Sequence, residues 1–509
     1  MIRASLILTF LTLCLQELQA APFLIRVGRQ PDFDRMGERI VQAVSAGESD
    51  IVVDIDPGLY FYHEDHLAFK NVHWDSVSVC LRGHHAVLVG VGKDGLYSGT
   101  DFKMGVCYLD DTLGVNRLVT PMKRAQERIR PVSPASGLYC LETGIRQLNL
   151  REGMNVHVQL SQWFTSRIYP VERIEKGKVY FTDSQRSPYG SPYHPDADYY
   201  YAKQMPRYRF FNAPSVRAAG LHACEASRFL LLSGSSVKSF IIEGMVFRGN
   251  SAKKESLLDF YYCPSGEYHV RNCRFEGLMN YAAYATGTDS LFFEGNTAVG
   301  CKGSVVQADI RSKHARIRHN SFHDNGWGLE QSFNIICRGE DFHVSDNILQ
   351  DFGYSAIGIG CHYLEPEDNN VSGVVEHNEI YLTPQSYRKA SMEGLMDSGA
   401  IYLWTRQTDV TVRDNLIHDI NGAGDNRGIL CDDGTVHTRI VGNHVTHIAN
   451  SYTIDLRRVS FVETESGSVV RRTNVCNELS DNYVDGPVRF ERRGGDDGCI
   501  VGETYYLKP

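Results

Sequence analysis

An asparagine recurs through the second half of the chain at a spacing that constrains the backbone to coil. It stands at Asn272, Asn296, Asn320 and Asn347, separated by 24, 24 and 27 residues. It returns at Asn378, Asn415, Asn443 and Asn482, with gaps of 31, 37, 28 and 39 residues. An apolar residue follows within one to three places, as in His319-Asn320-Ser321-Phe322 and His377-Asn378-Glu379-Ile380. A second marker keeps step with it: Val306, Ile401 and Ile429 each lie 14 residues before an asparagine of the series. The variable length therefore falls in the loop after each asparagine and before the next strand. A globular α/β protein has no reason to hold that interval fixed, whereas one coil of a parallel β-helix has about this length. Asparagine suits the bend because it tolerates the left-handed region and bonds neighbouring backbone, and stacked copies form a ladder. The expected fold is all-β, a right-handed parallel β-helix solenoid.

A solenoid also accommodates 509 residues, too many for one ordinary core, because it lengthens by adding coils. The net charge of −9 argues against a nucleic-acid partner, which demands a clustered basic surface. At the N-terminus, Arg3, an apolar run from Leu6 to Leu15, and Ala20-Ala21 read as a signal peptide. The run is too short to span a membrane. Leu11-Thr12-Leu13-Cys14 departs from a lipoprotein box by its large Leu13, so export to a secreted or periplasmic location is expected rather than lipid anchoring. No paired zinc spacing occurs among the cysteines, and no metal site is expected. Cys337 and Cys361 are read at one offset in successive coils, as a disulfide or as a reduced stack.

Four segments are expected: a signal peptide over 1–20, a cap and first coils over 21–94, an inserted β-rich subdomain over 95–235, and the main β-helix over 236–509. The cap is a helix from Phe33 to Ala46, with Met36, Ile40, Val41 and Val44 as its apolar residues. Such a helix protects the open edge of the first coil.

Side chains of a strand alternate between faces. Aligning strands on Ile357, Ile401, Ile429 and Ile454 turns these inward, with Ile359, Leu403, Cys431 and Leu456 two places on. The residues between and after face outward: Gly358 and Gly360; Tyr402, Trp404 and Arg406; Leu430 and Asp432; Asp455 and Arg457; and His362 on its own strand. Trp404, Asp432 and Arg457 would then stand side by side on one exterior wall. An aromatic ring covers the apolar face of a sugar, and carboxylate and guanidinium bind its hydroxyls or charge. Asp397, in the long loop before Ile401, has Asp425 as its counterpart one coil later. Each residue also has a plainer reading. Asp397-Ser398-Gly399 and Asp432-Asp433-Gly434 carry turn chemistry, and Arg457 and Arg458 suit ion pairs with neighbouring rungs.

Three stretches together resemble a known group: Ser398-Gly399-Ala400-Ile401-Tyr402, Asn415-Leu416-Ile417-His418-Asp419-Ile420, and Gly428-Ile429-Leu430-Cys431-Asp432-Asp433-Gly434. They are similar to the pectate-lyase-like β-helix superfamily, and within it to glycoside hydrolase family 141 and its relatives. The resemblance implies a secreted glycosidase acting on an oligo- or polysaccharide. It places the acidic pair on Asp397 and on Asp432 or Asp433. Tyr402, Trp404, Arg406, Arg457, His362 and Asp455 are the expected substrate contacts. Glycoside hydrolysis needs one carboxyl as proton donor and a second as nucleophile or base, and no cofactor. Two other readings stay open. One is a polysaccharide lyase on a uronic-acid glycan, with Arg406, Arg427 or Arg457 in the reaction and Ca²⁺ as an optional cofactor. The other is a β-helix that binds carbohydrate without cleaving it.

Overall fold

The computed structural model describes residues 21–91, 226–250, 256–326, 332–360, 370–386, 398–404, 407–421, 426–432, 434–449, 451–457, 476–490 and 498–508, together with the backbone of strands in 107–224 and 459–473. The chain is a right-handed parallel β-helix. Among the described residues its coils build three parallel sheets of 13, 12 and 11 strands, called here the first, second and third. A coil runs from a third-sheet strand to a first-sheet strand, bends, and continues as a second-sheet strand. Ala283–Thr286, Leu291–Glu294 and Thr297–Val299 form one such turn of the solenoid.

Stacking in register is what fills the interior. On the second sheet Phe275 pairs with Ala298, Ala298 with Phe322, Phe322 with Leu349, and Leu349 with Ile380. All of these side chains are buried. Each coil contributes an apolar residue at the same place, so the core is a set of columns along the axis, and lengthening the chain lengthens the columns.

The corner between the first and second sheets uses two residues, and the structure corrects the expected role of the asparagine. The residue in the left-handed region is the one before it: Gly295, His319, Asp346, His377, Asp414, Gly442 and Asp481 have φ between 53° and 69°. The asparagine itself is buried, and its amide joins the coils. In Asn347, Nδ2 donates to Asn378 Oδ1 at 2.8 Å, and the backbone N–H donates to the same oxygen at 3.1 Å. Asn378 repeats both bonds to Asn415, and Asn415 to Asn443. Asn272 falls outside this ladder. It is itself the left-handed residue, at φ 53°, and Cys273 occupies the ladder position with its N–H bonded to Asn296 Oδ1.

The N-terminal end is closed by helices α1 (Gln30–Asp34) and α2 (Met36–Ser45). Phe33, Met36, Ile40 and Ala43 face the coil, and Phe33 lies against the rings of Tyr60 and His66 at 5.0 and 4.4 Å. Val41, expected on the apolar face, is exposed, and Ala43 takes the buried place instead. Regular coils resume at Leu230, earlier than the expected Ser236. The strand His73–Arg82 pairs directly with Ser236–Glu243, so the first coils stack onto the later ones across the intervening sequence. Among the described residues, strands between Cys107 and Cys224 pair among themselves in sheets of seven and three. An antiparallel hairpin, Val459–Glu463 with Val469–Thr473, was not expected. Cys337 is a free thiol whose register partner on the next coil is Ile359; Cys361, expected at the same offset, lies outside the described residues.

Candidate functional site

The third sheet is the wall that matters, and its last eight strands are labelled here β1 (Ala283–Thr286), β2 (Val306–Ala308), β3 (Phe333–Cys337), β4 (Ser355–Gly360), β5 (Ser398–Trp404), β6 (Asn426–Cys431), β7 (Ile454–Leu456) and β8 (Val488–Phe490). The inward series holds as aligned: Ile357, Ile401, Ile429 and Ile454 are register partners and fully buried. The outward row between them runs Gly358, Tyr402, Leu430, Asp455, Arg489. The next outward row holds Gly360 and Trp404, then Asp432 and Arg457 one residue beyond β6 and β7.

Asp432 closes β6 and opens a turn, with Thr435 N–H bonded to its carbonyl at 3.1 Å. Its side chain belongs to the wall rather than to the turn. The Tyr402 hydroxyl donates to Oδ2 at 3.0 Å, and Arg457 Nη1 donates to Oδ1 at 3.0 Å. Both oxygens accept, so Asp432 is held in a carboxylate geometry, suited to a base or nucleophile rather than a proton donor. Asp455, expected to meet substrate, is instead fully buried beneath guanidinium groups. It accepts from Arg427 Nε at 2.5 Å and from Arg489 Nε and Nη2 at 2.6 Å each. Arg457 Nε lies 3.7 Å from it. A buried carboxylate needs such partners, and this one also lies near Arg457, the arginine that bonds Asp432. The Cys431 thiol is pushed far above its ordinary value by burial, with Asp455 and Asp432 adding, which removes it as a nucleophile.

Beside Asp432 lies an aromatic platform. Phe333 stacks on Tyr402 at 6.2 Å and on Trp404 at 5.7 Å, and Tyr354 meets Phe333 edge-on at 5.3 Å. The rings lie flat because β4 presents only glycine there. A Cβ on Gly358 would fall 2.6 Å from the Phe333 ring, and one on Gly360 would collide with the Trp404 carbonyl. Tyr402 and Trp404 stay partly exposed.

The structure thus brings together Tyr402, Trp404, Asp432, Asp455 and Arg457. Asp397, Asp433, Arg406 and His362 lie outside the described residues. Sequence reasoning missed Phe333 and Tyr354. It also missed Arg489, which no asparagine follows at the fixed interval. Among the described residues no group of three His, Cys, Asp or Glu is placed to hold a metal ion, and no helix is long and apolar enough to cross a membrane.

A family model described as "Right handed beta helix region" matches residues 229–371 and 262–475. No curated protein matches the chain in sequence. Among solved structures the chain is similar to one titled glycoside hydrolase, at 10% identity and TM-score 0.42, covering 95% of this chain and 96% of that one. It is also similar to the A-module of the Azotobacter vinelandii mannuronan C-5 epimerase AlgE4, at 11% identity and TM-score 0.37, covering 96% and 94%. A third is the tailspike protein of E. coli bacteriophage HK620 in complex with a pentasaccharide, at 10% identity and TM-score 0.33, covering 94% and 78%.

Proposed function

We propose that the chain is a secreted carbohydrate-active enzyme, a glycoside hydrolase of the family 141 kind, working on the outer wall of the third sheet. The observation that carries this reading is the Asp432 carboxylate, held by Tyr402 and Arg457 beside the partly exposed ring of Trp404. A sugar ring laid on Trp404 sets its hydroxyls and anomeric carbon beside charged groups one rung away, about 4.8 Å. Asp432 then serves as nucleophile or base. The complementary proton donor falls on Asp397, the other carboxyl of the pair that the sequence resemblance implies, with Asp433 as the substitute for Asp432. No cofactor takes part in this mechanism.

A second reading is favoured by one feature. Arg427 and Arg489 bond Asp455 and Arg457 bonds Asp432, three guanidinium groups to two carboxylates among the described residues. A positive excess suits a uronic-acid glycan, the substrate of a lyase. Incubation with a panel of plant and algal polysaccharides, with products weighed by mass spectrometry, separates the two. Hydrolysis adds the mass of water to the products. Elimination adds none and yields an unsaturated, ultraviolet-absorbing end. Retention on a glycan without any cleavage would make the protein a carbohydrate-binding β-helix and refute the enzymatic reading.

A further inference from the structure

The Tyr402–Asp432–Arg457 constellation occurs twice on this wall. In the earlier copy the Tyr284 hydroxyl on β1 donates to Asp309 Oδ2, and Arg338 Nη1 lies 3.0 Å from Asp309 Oδ1. The order in the register is the same. Tyr284 pairs with Gln307, as Tyr402 pairs with Leu430. Asp309 and Arg338 each follow a paired residue, Ala308 and Cys337, as Asp432 and Arg457 follow Cys431 and Leu456. Tyrosine on one rung, aspartate two residues further along the next rung, and arginine opposite it on the third is therefore a duplicated arrangement. The two aspartates share one outward row. From β2 to β6 the row climbs four rungs, about 19 Å, and the aromatic platform lies between them.

The earlier copy also carries a polar group that an ion pair does not explain. Gln307 alternates with the inward Val306 and Ala308, so it belongs to the outer face, whereas Asn334 aligns with the core residues Val305 and Ala356. Gln307 is more than nine-tenths buried, yet its Oε1 has no hydrogen-bond partner among the described residues. Buried amides are ordinarily bonded. Gln307 Oε1 accepts, and a sugar hydroxyl donates. Burial, reinforced by Asp309, also raises the Tyr284 hydroxyl far above its ordinary value, so it remains a neutral donor.

We propose that Tyr284, Asp309 and Arg338, with Gln307, form a second carbohydrate-binding site on the same wall. One glycan chain running parallel to the solenoid axis engages both centres across the platform. The inference rests on the reading that this wall binds carbohydrate, and it deepens that reading. A span of about 19 Å is beyond a mono- or disaccharide, so the substrate class is a polysaccharide or long oligosaccharide.

The test is a crystal structure of the full chain soaked with hexasaccharides prepared from xylan, polygalacturonate, alginate and fucan, paired with hexasaccharide affinity of Tyr284→Phe and Gln307→Leu. Sugar rings in contact with both Asp309 and Asp432 are expected, with about tenfold weaker affinity in each variant. Sugar at the Asp432 centre alone overturns this inference and leaves the proposed function standing. Sugar at neither centre overturns both. Variants that lose melting temperature but keep full affinity mark the earlier copy as a structural ion pair and also overturn it.

Discussion

Replacing Asn378 with alanine tests the ladder at its centre. The side chain is buried and makes five bonds. Its Oδ1 accepts from the backbone N–H and the Nδ2 of Asn347, at 3.1 and 2.8 Å. Its Nδ2 donates to Val344 O, Glu376 O and Asn415 Oδ1, at 3.0, 3.0 and 2.9 Å. Some of the groups left behind keep a partner. Asn347 Nδ2 retains Ile317 O, and Asn415 Oδ1 retains the N–H of residue 378. The Asn347 N–H and the Val344 carbonyl lose the bond from this side chain. At roughly 1–3 kcal/mol for each of the two groups that lose a bond, the expected cost is about 2–6 kcal/mol. Asn272→Ala is the contrast: that residue holds only a left-handed bend, and the loss should be about 1 kcal/mol. A repeat array can open locally, so a single global midpoint is an incomplete measure. Hydrogen exchange at the Asn347 amide reads the site itself. Its protection should fall at least about 30-fold in Asn378→Ala and stay unchanged in Asn272→Ala. Unchanged protection in the first variant, or equal losses in the two, would refute the ladder argument.

Further outcomes follow from the same geometry. His66 stacks on Phe33 and Phe229 and donates Nε2–H to Phe33 O; burial lowers it from 6.5 to about 4, partly opposed by that bond. The unfolded chain therefore binds a proton more readily, so stability from this site is complete above about pH 6.5 and is lost towards pH 4. The effect is up to about 3 kcal/mol, visible in denaturation midpoints across that window and absent in His66→Phe. Trp404→Ala should raise KM about tenfold with kcat less affected, measured by steady-state kinetics on the glycan the panel identifies. Asp397→Asn and Asp433→Asn should differ: the first removes the proton donor and loses about 10²–10⁴ in kcat on substrates with poor leaving groups and much less with activated aryl glycosides. Equal behaviour on both substrates in both variants would leave neither as the acid.

The fold was legible because a solenoid repeats its chemistry. The fixed interval between Ile401 and Asn415 reports one coil corner, and alternation from Ile401 places Tyr402, Trp404 and Asp432 on the outer wall, where they stand. The division of labour at the corner was not legible. In Arg271-Asn272-Cys273 the asparagine bends the chain and the cysteine takes the ladder site, and sequence spacing cannot resolve a shift of one residue. The fate of Asp455 also depends on rungs distant in sequence, because Arg427 and Arg489 reach it from neighbouring coils. Asp309 was within reach, since Val306 already fixed the register of β2. Its significance emerges only when Tyr284 and Arg338 are seen to repeat Tyr402 and Arg457.

The most direct measurement is the turnover of Asp432→Asn on the responsive glycan, run in ¹⁸O-labelled water beside the unaltered chain, with melting temperatures compared. The account predicts labelled new ends from the unaltered chain, a fall of about 10²–10⁴ in rate for the variant, and a fold that still melts cooperatively. Label entering the variant's products at the full rate would mean that bond cleavage takes place somewhere other than beside Tyr402 and Arg457.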